Sequence, residues 1–156
     1  MVDDQELKYL NLTPPAAIIE NASATVTEID TLGWDYCEIV VVLGATDIAM
    51  TALAVTESDT TGTGHANVTG LIYGTSTNIA GSTSALPSAL KDDGIYKFEI
   101  DLRNRKRYLD VTATVGDSLS SGALAGTFLA IFAVLSRPRR SPDTAAKAGC
   151  SDILRV

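Results

Sequence analysis

The sequence predicts an all-β chain: an antiparallel β-sandwich or jelly roll of about seven to eight strands with extended N- and C-terminal arms. Three observations lead there. Apolar and polar residues alternate with a period of two in several short runs, which places one set on each face of a strand. Turn signals rich in Gly, Ser, Thr and Asp separate those runs. The composition favours Thr, Val, Ala, Gly and Ser over Lys and Glu, as strands and tight turns require.

The totals fit one domain with tails. The chain has 156 residues, 46% of them hydrophobic and only 6% aromatic, so its core must come from Val, Ile, Leu and Ala. A chain of this size buries roughly two-thirds of its unfolded surface and needs no staple. Residues 1–20 read as an N-terminal arm, 21–136 as the β-sandwich domain and 137–156 as a C-terminal arm. Net charge is −7, which argues against general nucleic-acid binding. Its distribution is uneven. Residues 1–90 hold one basic residue, Lys8, against eleven acids, and residues 91–156 hold eleven basic residues against eight acids. Such asymmetry either averages out in space or serves contact between copies.

Taken in order, the arm has a short helical turn over residues 3–12, ended by Thr13-Pro14-Pro15. Residues 22–29 form the first strand. Residues 34–43 form the clearest one, with Cys37, Ile39, Val41 and Leu43 on one face and Tyr36, Val40 and Val42 on the other. A strand apolar on both faces is central or covered on both sides. Residues 44–47 break that run, residues 48–57 form a further strand, and 58–64 a loop. Residues 68–73 are a short strand, and the Gly/Ser/Thr-rich residues 74–87 a long excursion.

Residues 95–115 read as a hairpin. Tyr96, Phe98, Ile100 and Leu102 alternate with Lys97, Glu99 and Asp101, and Leu109, Val111, Ala113 and Val115 alternate with polar partners. The turn between them is Arg103-Asn104-Arg105-Lys106-Arg107. After a loop over 116–126, residues 127–136 form a strand apolar on both faces, with Leu129, Ile131 and Ala133 against Phe128, Phe132 and Val134. Two covers are then needed, the chain's own second sheet and a neighbouring subunit. Arg137-Pro138-Arg139-Arg140-Ser141-Pro142 ends the domain. The tail finishes in Ile153, Leu154 and Val156, a clip suited to docking on a neighbour by strand addition.

No catalytic, cofactor-binding or metal site is expected. His65 is the single histidine, in a Gly-rich loop without a local nucleophile motif. The stretch from Glu57 to Gly62 lacks the spacing of a calcium loop, and Gly62-Thr63-Gly64 lacks the lysine of a phosphate loop. Cys37 reads as a small buried hydrophobe and Cys150 as a tail residue, with no zinc-ligand or disulfide spacing. The N-terminus has no apolar signal region, and the longest apolar run, 128–135, is too short to span a membrane. The cluster Arg103, Arg105, Lys106 and Arg107 has three readings. It binds phosphates, pairs with acids of its own chain, or forms an intersubunit salt-bridge patch.

Three segments carry a family resemblance: WDYCEIVVVLGATD from Trp34, LAVTESD from Leu53, and residues 96–114 with their RNRKRYL core. They resemble tailed-bacteriophage virion structural proteins of head decoration, or cement, type over residues 22–136. The resemblance implies a non-enzymatic capsid-surface protein that assembles as a homotrimer or other closed homo-oligomer. Its partner would be the major capsid protein, with no membrane or nucleic-acid role. Arg103, Arg105, Lys106, Arg107, Arg137, Arg139, Arg140, Ile153, Leu154 and Val156 are the candidate subunit or capsid contacts. The alternatives are a minor tail, fibre or head–tail joining component, and a carbohydrate-binding β-sandwich module, for which only Trp34 and a few tyrosines are available as an aromatic platform.

Overall fold

The alternating apolar runs become strands whose inward residues meet in one hydrophobic cluster. A computed structural model describes residues 6–13, 18–76, 84–117, 126–139 and 145–154. Eight strands lie within them: β1 (Leu7–Thr13), β2 (Ile29–Asp30), β3 (Trp34–Thr46), β4 (Met50–Ser58), β5 (Ala66–Ile72), β6 (Ile95–Asp101), β7 (Tyr108–Val115) and β8 (Thr127–Pro138). They form two four-stranded antiparallel sheets, ordered β1-β8-β3-β6 and β2-β7-β4-β5. The pairing is nested: β4 with β5, β3 with β6, β2 with β7 and β1 with β8.

The cluster takes Ile39, Val41, Leu43, Phe98, Ile100 and Ile131 from the first sheet, and Ile29, Leu53, Val55, Leu109 and Val111 from the second. The inward sets of β3, β6, β7 and β8 match the alternation in the sequence. β3 and β8 are the two central strands of their sheet, as their two-sided apolar character requires.

Several sequence expectations are corrected. The hairpin over 95–115 is not a hairpin. β6 pairs with β3 in one sheet and β7 with β2 and β4 in the other, so the basic stretch is a crossover between sheets. Its first turn is a 3-10 helix over Leu102–Asn104, anchored by buried Leu102 and capped by the Asp101 carboxylate on the Arg103 N–H. A hairpin and a crossover present the same alternation, so periodicity could not separate them.

Of the helical turn expected over 3–12, the described part keeps only Glu6, in 3-10 conformation. Leu7–Thr13 is an edge strand paired with β8. Its partner residues supply the backbone bonds that a short isolated helix would lack. The strand expected over 22–29 shrinks to Ile29–Asp30. Ahead of it the chain bonds to both sheets in turn: Ala24 N–H to the Ala113 carbonyl, then Thr27 N–H to that of Leu12. No ladder forms along a segment that changes partners. β3 does not break at Gly44 but continues to Thr46 through a register shift. β8 likewise runs on through Arg137 and Pro138. Its ladder with β1 ends at Ser136, so Pro138 lies where one side of the strand is already open.

Both edges of the first sheet are occupied. The Tyr73 hydroxyl donates to the Lys97 carbonyl at 3.1 Å and accepts from the Lys97 N–H at 3.3 Å, along the outer side of β6. Its ring packs edge-on against Tyr96 and Phe98. On β1, the Tyr9 N–H donates to the Ala148 carbonyl at 2.8 Å. Ala148 is buried, and a Cβ on Gly149 would run into the Tyr9 carbonyl oxygen. The described part of the C-terminal segment therefore lies against its own chain.

Candidate functional site

The crossover over 102–107 joins two sheets, so its basic side chains meet acids from both. Arg103 donates from Nε to the Asp101 oxygens at 2.9 and 3.1 Å and also pairs through Nη2. Arg105 lies 3.6 Å from Glu57, and Lys106 3.8 Å from Asp59. The Lys106 N–H donates to Glu57 at 3.1 Å. Arg107 grips Asp30 with two bonds, at 2.8 and 2.7 Å, and lies over the Tyr108 ring. Its carbonyl accepts from the Thr31 N–H and hydroxyl. These guanidinium groups hold the Asp30 and Asp101 carboxyls below their usual range, and Asp30 raises Arg107 in turn. Each of the four basic residues thus has an acidic partner within the chain. Exposed pairs of this kind add little stability each, but together they fix where the connector lies.

The remaining sequence candidates are scattered. Arg137 and Arg139 follow the end of the β8–β1 ladder, and the Arg139 N–H donates to the Gly33 carbonyl at 2.9 Å. Ile153 is half-buried, whereas Leu154 is 94% exposed. Arg140 and Val156 lie outside the described residues. Trp34 is half-buried and packs against the core cluster.

His65 has partners that the sequence did not reveal. Its Nε2 lies 2.7 Å from Glu28 Oε2, and its Nδ1 lies 3.4 Å from the Thr56 hydroxyl. Glu28 also accepts from the Thr61 hydroxyl at 2.6 Å and the Gly62 N–H at 2.9 Å. Thr61 and Gly62, then His65, hold its carboxyl below the ordinary value against a small burial penalty. The order Thr–His–Glu imitates a nucleophile–base–orienter line. However, the Thr56 hydroxyl is held on buried β4 and also faces the Asp110 carbonyl at 3.4 Å. The bonds from Thr61, Gly62 and His65 to Glu28 tie the β4–β5 loop to the segment before β2.

Cys37 is fully buried, and burial pushes its thiol up to about 12, so it stays protonated and unreactive at neutral pH. Cys37 and Cys150 are both free. Among the described residues no group of three or more His, Cys, Asp or Glu side chains is arranged to hold a metal ion. Nor is any helix among them long and apolar enough to cross a membrane.

Register organises the outer face of the first sheet. At one end Asp101, Tyr36 and Ser136 stand side by side on β6, β3 and β8. Next come Glu99, Glu38 and Val134, then Lys97, Val40 and Phe132, and finally Ile95, Val42 and Ala130. Lys97 lies 2.6 Å from Glu99 and 3.5 Å from Glu38, which raises the lysine further. The face therefore grades from polar to apolar along its strands. At the polar end a cleft of about 400 Å3 is lined by Asp35, Tyr36, Asp101, Arg103, Ser136 and Arg137. At the apolar end Ile95 is 70% exposed, Phe128 42% and Phe132 38%.

The class that these features define is an all-β protein of two four-stranded antiparallel sheets. No protein-family model, curated protein or solved structure matches the chain.

Proposed function

We propose that this chain is a non-enzymatic structural protein of a tailed-bacteriophage virion, a head decoration or cement protein that acts as a closed homo-oligomer on the capsid surface. The observation that carries the reading is the outer face of β8. Phe128 and Phe132 project there from a strand whose other face is already core. A water-facing apolar end of a sheet is the kind of surface that a subunit or capsid contact buries. The strand order adds support. Nested pairs 1–8, 2–7, 3–6 and 4–5, divided between two sheets over a common cluster, support the proposed reading as an eight-stranded jelly roll. That architecture occurs in viral capsid and lectin domains, and it is compatible with many functions.

Mechanically, cementing is mass action. A protein that binds the assembled shell but not its separated subunits stabilises the shell. Repetition over many lattice sites raises a modest contact through avidity. Homotrimers braced against the major capsid protein would use the Phe128–Phe132 end for one of these contacts.

The test is light scattering on the purified chain together with binding to phage heads lacking it. The expected result is a trimer or other closed oligomer that attaches to heads. Phe128→Ser with Phe132→Ser should weaken association or attachment while leaving the β-type circular dichroism intact. A monomer at high concentration that ignores heads overturns the reading.

A further inference from the structure

The cleft at the polar end of the first sheet lies at the other end of the face from Phe128, and two of its lining residues, Arg103 and Arg137, are among the contact candidates read from the sequence. Its construction is specific. Register aligns Asp101, Tyr36 and Ser136 across three adjacent strands as a floor. Arg103, from the crossover, is fixed against Asp101 by bonds to both carboxylate oxygens. That pair is internally neutral, and its guanidinium keeps further N–H groups for a ligand. Asp35, Tyr36, Ser136 and Arg137 form no side-chain hydrogen bond or ion pair with any described residue. Four polar side chains without such a bond among the described residues thus line one cavity, with Arg137 acting at longer range on Asp101 and Asp35 on Arg103. The cavity's volume lies in the range of small-molecule sites, roughly 300–1,000 Å3.

The backbone of Arg137 is the second observation. Its φ is +54°, a left-handed conformation rare for a residue with a side chain. Its successor is Pro138, and a residue before proline is normally extended with negative φ. The conformation is held from both sides. Ser136 is registered opposite Tyr36, Pro138 opposite Trp34, and the Arg139 N–H bonds the Gly33 carbonyl. Strain maintained in this way is characteristic of positions whose side chain has a task.

We propose that this cleft binds a saccharide. The lining carries two carboxylates and two guanidiniums, so it presents no net charge to a simple anion or cation. A vicinal pair of hydroxyls suits it better. Each hydroxyl donates to a carboxylate such as Asp35 and accepts from a guanidinium such as Arg137 or the free side of Arg103. Tyr36 and Ser136 add hydroxyls that both donate and accept. A zwitterion such as a peptide would satisfy Asp35 and Arg137 alone and leave those two hydroxyls without a role.

The test uses the full chain on an array of neutral and acidic oligosaccharides, followed by titration of the best soluble hit. Saccharide binding is expected, weakened about tenfold or more by Arg137→Gly and by Asp35→Asn, as loss of a charged hydrogen bond implies. Arg137→Gly also relieves the positive φ, so its melting temperature should be equal to or above that of the parent. This separates lost binding from lost folding. Lys91→Ala, on the β5–β6 connection at the other end, should bind as the parent does. Absence of any saccharide hit up to about 10 mM, weaker than most specific ligands, overturns the proposal. So does binding that both cleft variants leave intact, or binding of glycylglycine in place of sugars.

Discussion

At the scale of residues, burial and local charge make separate demands. Leu109 is fully buried on β7, between β2 and β4. Leu109→Ala should cost about 2–5 kcal/mol in urea denaturation. A loss below about 1 kcal/mol would mean that the core relaxes around the site. The carboxylates respond to pH. Glu28 and Asp30 have folded-state pKa values below their ordinary 4.5 and 3.8. The unfolded chain therefore binds more protons in acid than the folded one. Their contribution is fully present above the unfolded values and is lost as the pH falls through the folded ones. Thermal midpoints should decline as pH is lowered from about 5 to about 3, and Glu28→Gln should flatten part of that decline. A midpoint insensitive to acid would mean that Glu28 does not hold the loop in solution.

At the scale of elements, the edges of the first sheet carry the clearest consequence. An unpaired edge strand is a template for addition of another chain. Here the C-terminal segment supplies the Ala148 carbonyl to the Tyr9 N–H, and Gly149 allows it to approach. Gly149 also has a φ of +75°, which a side chain would oppose. Gly149→Ala should release the segment. The Tyr9 amide should then exchange with solvent at least about tenfold faster, while the Ile39 and Ile131 amides of the central ladder keep their protection. Equal protection in both proteins would mean that the segment does not guard this edge. The same element answers an expectation from the sequence. The segment before the terminal clip, at Ala148 and Gly149, lies on β1 of the same chain, whereas Leu154 of the clip is exposed.

At the scale of the whole molecule, the two halves of the sequence interleave. The acidic first ninety residues provide β1 to β5, and the basic remainder provides β6 to β8. Because β6 pairs with β3 and β7 with β4, Asp30, Glu57 and Asp59 are brought to the crossover that carries Arg105, Lys106 and Arg107. Much of the charge asymmetry is thus matched internally. Among the described residues the outer face of the first sheet has one apolar end and one mixed-charge end. The proposed oligomer contact and the proposed ligand cleft fall at these opposite ends, so mutation should separate them.

The sequence by itself determined the all-β class, the inward sets of β3, β6, β7 and β8, and the reading of β3 as central or covered on both sides. These are local properties, because a strand's face is set by alternation along its own few residues. Only the tertiary structure decided which strands pair. It divided residues 95–115 between two sheets, drew Leu7–Thr13 into an edge and aligned Asp101, Tyr36 and Ser136 across three strands. The physical reason is that register depends on contacts between residues far apart in sequence, and a shift by one residue would turn every side chain to the opposite face. The floor of the cleft consists of such register, so residues 36, 101 and 136 carried no signal of it in the chain.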